Sequence, residues 1–153
     1  MGKIDYADAY RNFDFRQHPE SYVIGRGEQG VLIAEPYKSE ILPYWRFATP
    51  EAARESAGKI YQLFLEYKKN GEFIGMDMSR KFLQMGWTRA RRYANHATGT
   101  KYDKNGKVRP QDKLSEESLK AESARIFFEI YSKAKADSEY LMLKKEHQKK
   151  SPR

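Results

Sequence analysis

The chain contains no cysteine, which excludes disulfide bonds, thiolate metal sites and cysteine nucleophiles together. Histidine is nearly as scarce, and His18, His96 and His147 stand too far apart in sequence for a local metal-binding motif. No stretch approaches the roughly 18 consecutive apolar residues that a membrane-spanning helix needs. The opening MGKIDYADAY carries acids where a secretion signal needs a basic start and an apolar run. Together these absences predict a cytoplasmic protein with no metal, no cofactor and no membrane partner. What is present is a chain of 153 residues, 39% hydrophobic, which is expected to form a single domain over 1–153 around one core.

The formal net charge of +8 is unevenly distributed. From Arg80 to Arg109 nine basic residues (Arg80, Lys81, Arg89, Arg91, Arg92, Lys101, Lys104, Lys107 and Arg109) face one acid, Asp103, whereas the other 123 residues carry twenty charges of each sign. A basic segment in a neutral background is the footprint of a polyanion partner, because each phosphate contact releases condensed counterions. Trp87, Tyr93, Asn95, His96 and Tyr102 add rings and amides suited to bases.

Residues 1–20 mix Tyr6, Tyr10, Phe13 and Phe15 with charges and hold no steady period, so an extended arm packing aromatics onto the domain is expected. Tyr22–Ile24 and Val31–Ala34 are short β-prone runs around Gly25–Gly30, which predicts a hairpin with a glycine-rich loop. A third strand is expected at Tyr44–Phe47. At Thr49-Pro50-Glu51 a capping hydroxyl, a first-turn proline and an acid coincide. The helix they open places Ala53, Ala57, Ile60, Phe64 and Tyr67 on one stripe and stops at Asn70-Gly71. Further helices are expected from about Asp77 or Ser79 to Met85, ending at Gly86; from Thr88 to Gly99; from Ser115 to about Ala136, with Leu119, Ile126, Phe127, Ile130, Tyr131 and Ala134 on its buried side; and, after a cap at Asp137-Ser138, from about Ser138, burying Tyr140, Leu141 and Leu143, into a basic tail over 145–153 that should fray. Residues 99–114, with Asn105-Gly106 and Pro110, are expected to be a mobile basic loop. The fold class is therefore α+β, mainly helical: a small hairpin or three short strands packed on about five helices.

Gly25-Arg26-Gly27-Glu28-Gln29-Gly30 satisfies GxGxxG, but a dinucleotide fingerprint needs a helix next, and Val31–Pro36 reads as a strand closed by proline. A plain turn is the reading. Glu35, Lys38 and Glu40, with Asp77 approaching in space, resemble the acid-and-lysine clusters that hold Mg²⁺ in nucleases. They are the candidate reacting groups if the protein is a nucleic-acid-processing enzyme; surface ion pairing is the simpler account. His18 and His96 are candidate general bases by residue type, since a free imidazole titrates near neutrality, but neither has a visible partner in the sequence.

Asp77–Tyr93 reads as helix, glycine turn and capped basic helix, the order of a helix-turn-helix whose second helix enters the major groove. The fit is imperfect, since Phe82 stands where a small residue belongs and Arg92 where an apolar one does. On a helix from Arg89, Arg89, Arg92 and His96 share one face, Arg91 and Asn95 flank it, and Ala90, Tyr93, Ala94 and Ala97 can turn inward. Arginine forks match phosphate or guanine, and asparagine matches adenine. The candidate nucleic-acid-binding set is Arg80, Lys81, Trp87, Arg89, Arg91, Arg92, Tyr93, Asn95, His96 and Lys101.

Through the strings GMDMSRKFLQMGWTRARRYANH, Glu35–Pro43 with Trp45-Arg46-Phe47, and KKEHQKK near the end, the chain resembles the family designated domain of unknown function 4385 over nearly its whole length. The resemblance implies a small cytoplasmic protein and brings no activity or catalytic residues. The functional expectation thus comes from the residues: a nucleic-acid-binding protein, duplex DNA being the expected partner, with no catalytic residue assigned. A nucleic-acid-processing enzyme and an adaptor for an acidic protein partner are the alternatives.

Overall fold

The computed structural model describes residues 13–24, 34–95, 105 and 119–150, and its regular elements are all helical. In chain order they are α1 (Tyr37–Ile41), α2 (Pro50–Lys69), α3 (Phe73–Asn95), α4 (Leu119–Ala136) and α5 (Ser138–Lys150), with single 3₁₀ turns at Pro19–Ser21 and Leu42–Tyr44. The long helices α2, α3 and α4 pack on one another around the core, and α1 and α5 close over α3.

The start and stop signals of α2 act as the sequence predicts. Thr49 Oγ1 accepts from the Ala52 amide at 3.1 Å, and Pro50 occupies the first turn. Ala53, Ala57, Ile60, Phe64 and Tyr67 are all buried. Gly71 ends the helix with φ at 70°, and the Glu72 and Gly71 amides donate back to the Tyr67 and Lys68 carbonyls. Asp137 separates α4 from α5 and accepts from the Tyr140 amide at 2.9 Å, the cap expected there.

The α+β expectation is overturned: among the described residues there is no strand and no sheet. In the first expected strand Tyr22 is pinned to helices instead of paired with a neighbouring strand, and Val23 is exposed. The Tyr22 carbonyl accepts from His147 of α5, and its hydroxyl donates to Asp77 of α3. The glycine loop 25–30 and residues 31–33 lie outside the described residues. The expected third strand is also absent: Leu42–Tyr44 forms a 3₁₀ turn around Pro43, and the Arg46 amide donates to Ser56 Oγ at 2.9 Å rather than to a strand.

The two helices expected on either side of Gly86 are one helix of 23 residues, about 34 Å long, so the helix-turn-helix-like arrangement is overturned as well. Gly86 marks a notch, not a turn: a Cβ there would overlap the Phe127 ring of α4, and one at Gly75 would overlap the Tyr67 ring of α2. Each glycine lets a neighbouring helix bring an aromatic ring against the α3 backbone.

Where the N-terminal segment is described it turns at 15–17 and again in the 3₁₀ turn Pro19–Ser21, and Phe15 is buried, packed beside Phe13 and edge-on to Tyr22. Tyr6, Tyr10 and the expected loop residues other than Asn105 lie outside the described set. The tail does not fray from 145. Helix α5 continues to Lys150, anchored where His147 meets Phe73 and the Tyr22 carbonyl. Leu119 and Leu141, expected on buried faces, are 64% and 44% exposed.

Candidate functional site

The basic run divides along α3. Residues 73–83 are buried on every side of the helix, and Asp77, Arg80 and Lys81 fall within them. Asp77 lies three and four residues before the two cations, the spacing that puts all three on one helix face. Its Oδ1 accepts from Arg80 Nη2 at 2.7 Å and from the Tyr140 hydroxyl at 2.6 Å; its Oδ2 accepts from the Tyr22 hydroxyl at 2.5 Å and lies 3.6 Å from Lys81 Nζ. Arg80 also donates to the Tyr140 oxygen at 3.1 Å and to Gln84 at 3.0 Å. Burial alone would push the Asp77 carboxyl up, but Arg80, Lys81 and the two phenols hold it below the usual carboxylate range. Burial moves the Lys81 ammonium down against the pull of Asp77, and burial beside Asp77 moves the Tyr22 and Tyr140 phenols up. The cluster fastens the N-terminal segment and α5 to α3.

A second polar group lines an open cleft of about 500 Å³ between α1, α2 and the N-terminal segment. Arg16 forks onto both Glu40 oxygens at 2.8 Å, reaches Glu72 at 2.5 Å and lies 4.9 Å from the centre of the Tyr37 ring. Tyr67 donates to Glu40 at 2.6 Å and Tyr37 to Glu72 at 3.0 Å. The Arg16 fork holds Glu40 below its ordinary pKa, and burial with the adjacent carboxylates raises both phenols. Each strong donor in this group already faces a carboxylate.

Glu35, Glu40 and Asp77 therefore do not gather at one reacting centre. Glu35 accepts from the Ser39 amide and hydroxyl at the start of α1, Glu40 is held by Arg16 and Tyr67, and Asp77 is enclosed in the α3 cluster. Among the described residues no three His, Asp or Glu side chains are placed to share a metal ion. His18 is exposed beside Glu20.

The last turns of α3 differ. Arg89 and Arg92 are exposed, and neither has an ion-pair or hydrogen-bond partner among the described residues. Tyr93, one turn beyond Arg89, is 40% exposed, contrary to the inward position expected for it. Its ring lies 6.2 Å from Phe47 and 5.9 Å from Lys120 Nζ, which donates to the Ala48 carbonyl at 2.6 Å. Arg46, next to Phe47 in the chain, is also exposed. Ala90 and Ala94 point inward, as expected.

Of the other candidates, Trp87 packs on Phe128 and Tyr131 of α4, and Arg91 is half-buried with an interaction of its own. Asn95 is the last residue of α3, and His96 and Lys101 lie outside the described residues. Sequence reasoning missed Arg46, Phe47 and Lys120. The string Trp45-Arg46-Phe47, an arginine between two rings, was the available signal, whereas nothing local marks Lys120 as a neighbour of Tyr93.

The chain belongs to the family described as Domain of unknown function (DUF4385), which matches residues 5–150. No curated protein and no solved structure matches it. No helix among the described residues is long and apolar enough to cross a membrane.

Proposed function

We propose that this protein is a cytoplasmic nucleic-acid-binding protein whose contact surface is the exposed basic end of α3. The observation that carries the reading is the sorting of cations along one helix: Arg80 and Lys81 are buried around Asp77, while Arg89 and Arg92 face solvent and pair with no acid among the described residues. Two exposed arginines close together on a folded surface favour a polyanion, and the sequence continues the basic excess with Lys101, Lys104, Lys107 and Arg109 against Asp103. Arg80 and Lys81 leave the contact set, because exposing them would break the cluster that fastens α5 and the N-terminal segment.

The test is fluorescence anisotropy of labelled nucleic acid across a salt series, with the Arg89→Ala/Arg92→Ala double variant alongside. The double variant should bind more weakly, with a log–log salt slope shallower by about 1.5 to 2, the counterions released at two phosphate contacts. Identical affinity and slope in the two proteins would remove the assignment. Absence of binding at low salt would transfer the surface to an acidic protein partner.

A further inference from the structure

We infer that the basic end of α3 selects single-stranded over duplex nucleic acid, with a base stacking at Tyr93 while Arg89 and Arg92 hold adjoining phosphates. This rests on the nucleic-acid reading above and narrows its substrate class.

Two features of the helix argue against a duplex groove. A helix that reads bases lies in a major groove about 12 Å wide and leads with its N-terminal residues. Here residues 73–83 are enclosed by the rest of the fold, and Thr88 and Ala90, where a recognition helix would begin, are half-buried and buried. Arg89 and Arg92 instead stand in the second half of the helix, far from the N-terminal turns that a recognition helix presents to bases. What the second half exposes is a patch of Arg89, Arg92 and Tyr93.

That patch has the parts of a stacking platform. Tyr93 and Arg89 are four residues apart and so neighbours along one face, with Arg92 adjoining. Phe47 is tilted 34° to the Tyr93 ring, and Lys120, tied to the Ala48 carbonyl, stands near the same ring. These neighbours support a ring that stays 40% exposed. A duplex keeps its bases stacked on one another and presents phosphates alone to such a ring. An unpaired base presents a π-face, and stacking of this kind tolerates any sequence. Arg46, the chain neighbour of Phe47, is exposed as well.

The experiment uses the whole chain and labelled short DNA and RNA strands, their duplexes, and a DNA strand with abasic positions at its centre. Wild type, Tyr93→Ala, Tyr93→Phe and Arg89→Ala/Arg92→Ala are compared across salt, with thermal melts to check folding. Wild type should bind a strand more tightly than its duplex. Tyr93→Ala should lose about tenfold in strand affinity with the salt slope unchanged, and Tyr93→Phe should retain it. Abasic positions should weaken wild type by a similar factor, a readout that needs no mutant to fold. The DNA and RNA arms identify the sugar preferred. Duplex bound as tightly as strand, or no effect of abasic positions, overturns the stacking inference; if the arginine variant still weakens binding, the broader reading stands. Absence of binding to every nucleic acid overturns both.

Discussion

The two ends of α3 carry cations of the same kind in one stretch of sequence, and the fold gives them opposite fates. Near its start Arg80 and Lys81 are 6% and 0% exposed and share Asp77 with two phenols; near its end Arg89 and Arg92 stand in water. The difference is made by what packs alongside. The N-terminal segment and α5 bring hydroxyls to the Asp77 carboxylate in the buried first half, whereas Arg89, Arg92 and Tyr93 of the second half are exposed. Net charge along a sequence thus overstates the charge available to a partner, and burial decides which cations are available.

The largest expected effect comes from breaking the first half. Asp77→Ala leaves two cations enclosed without their carboxylate, and removing one partner of a buried ion pair costs about 3 to 5 kcal/mol. Urea unfolding should show the loss, and α5 should open first in hydrogen exchange because Tyr140 loses its acceptor. The cluster also sets a pH window. Asp77 has a folded pKa below its unfolded value near 4, so its contribution is fully present above about pH 4 and is lost as pH falls through the folded value. Tyr22 and Tyr140 have folded values raised above about 10, so their contribution is present below that pH and is lost as pH rises through the folded values. Stability should be flat at neutrality and fall on both sides. Asp77→Ala should remove its share of the acid limb, and an acid limb identical to wild type would show that other carboxylates control it.

How far these halves were legible differs in the same way. Helix α2 could be read almost completely, because its cap, stripe and glycine stop are local features of consecutive residues. The partners of Asp77 could be read only in part. Arg80 and Lys81 lie at the spacing of a helical ion pair, among Met76, Met78, Phe82 and Leu83, and that placement is the signature of an enclosed pair. Tyr22 and Tyr140 lie 55 and 63 residues away from Asp77, with no local sign of the contact. The hairpin failed because Tyr22 of the β-prone run has a stronger engagement with helices than propensity can register. Of the candidate surface, Arg89 and Arg92 were legible from charge, but the exposure of Tyr93 and the approach of Phe47 and Lys120 depend on helix packing.

Gly86, read as the turn between the halves, gives an intermediate effect and a sharper comparison. In an exposed helix interior, glycine to alanine gains up to about 1 kcal/mol from backbone entropy. Gly58 of α2 is exposed, with nothing near the position a Cβ would take, so Gly58→Ala should raise the unfolding midpoint. At Gly86 the added methyl meets the Phe127 ring at the α3–α4 contact, and overpacking of this kind costs about 1 to 3 kcal/mol. Gly86→Ala should therefore lower stability. Equal gains at both positions would mean that α4 can withdraw from α3 without loss.

The smallest expected effect tests the other end of the helix. Arg89→Ala/Arg92→Ala removes two exposed side chains that make no ion pair or hydrogen bond among the described residues, and alanine has a helix propensity at least as favourable as arginine. Surface changes of this kind stay within about 0.5 kcal/mol each. The variant should unfold at the wild-type urea concentration while losing salt-dependent affinity for nucleic acid. Coincident unfolding curves with altered binding would separate the two halves of α3 cleanly: cations that hold the fold at its start, and cations available to a partner at its end. A loss of stability comparable to that of Asp77→Ala would place these arginines within the fold's own ion-pair network and end their claim to a partner.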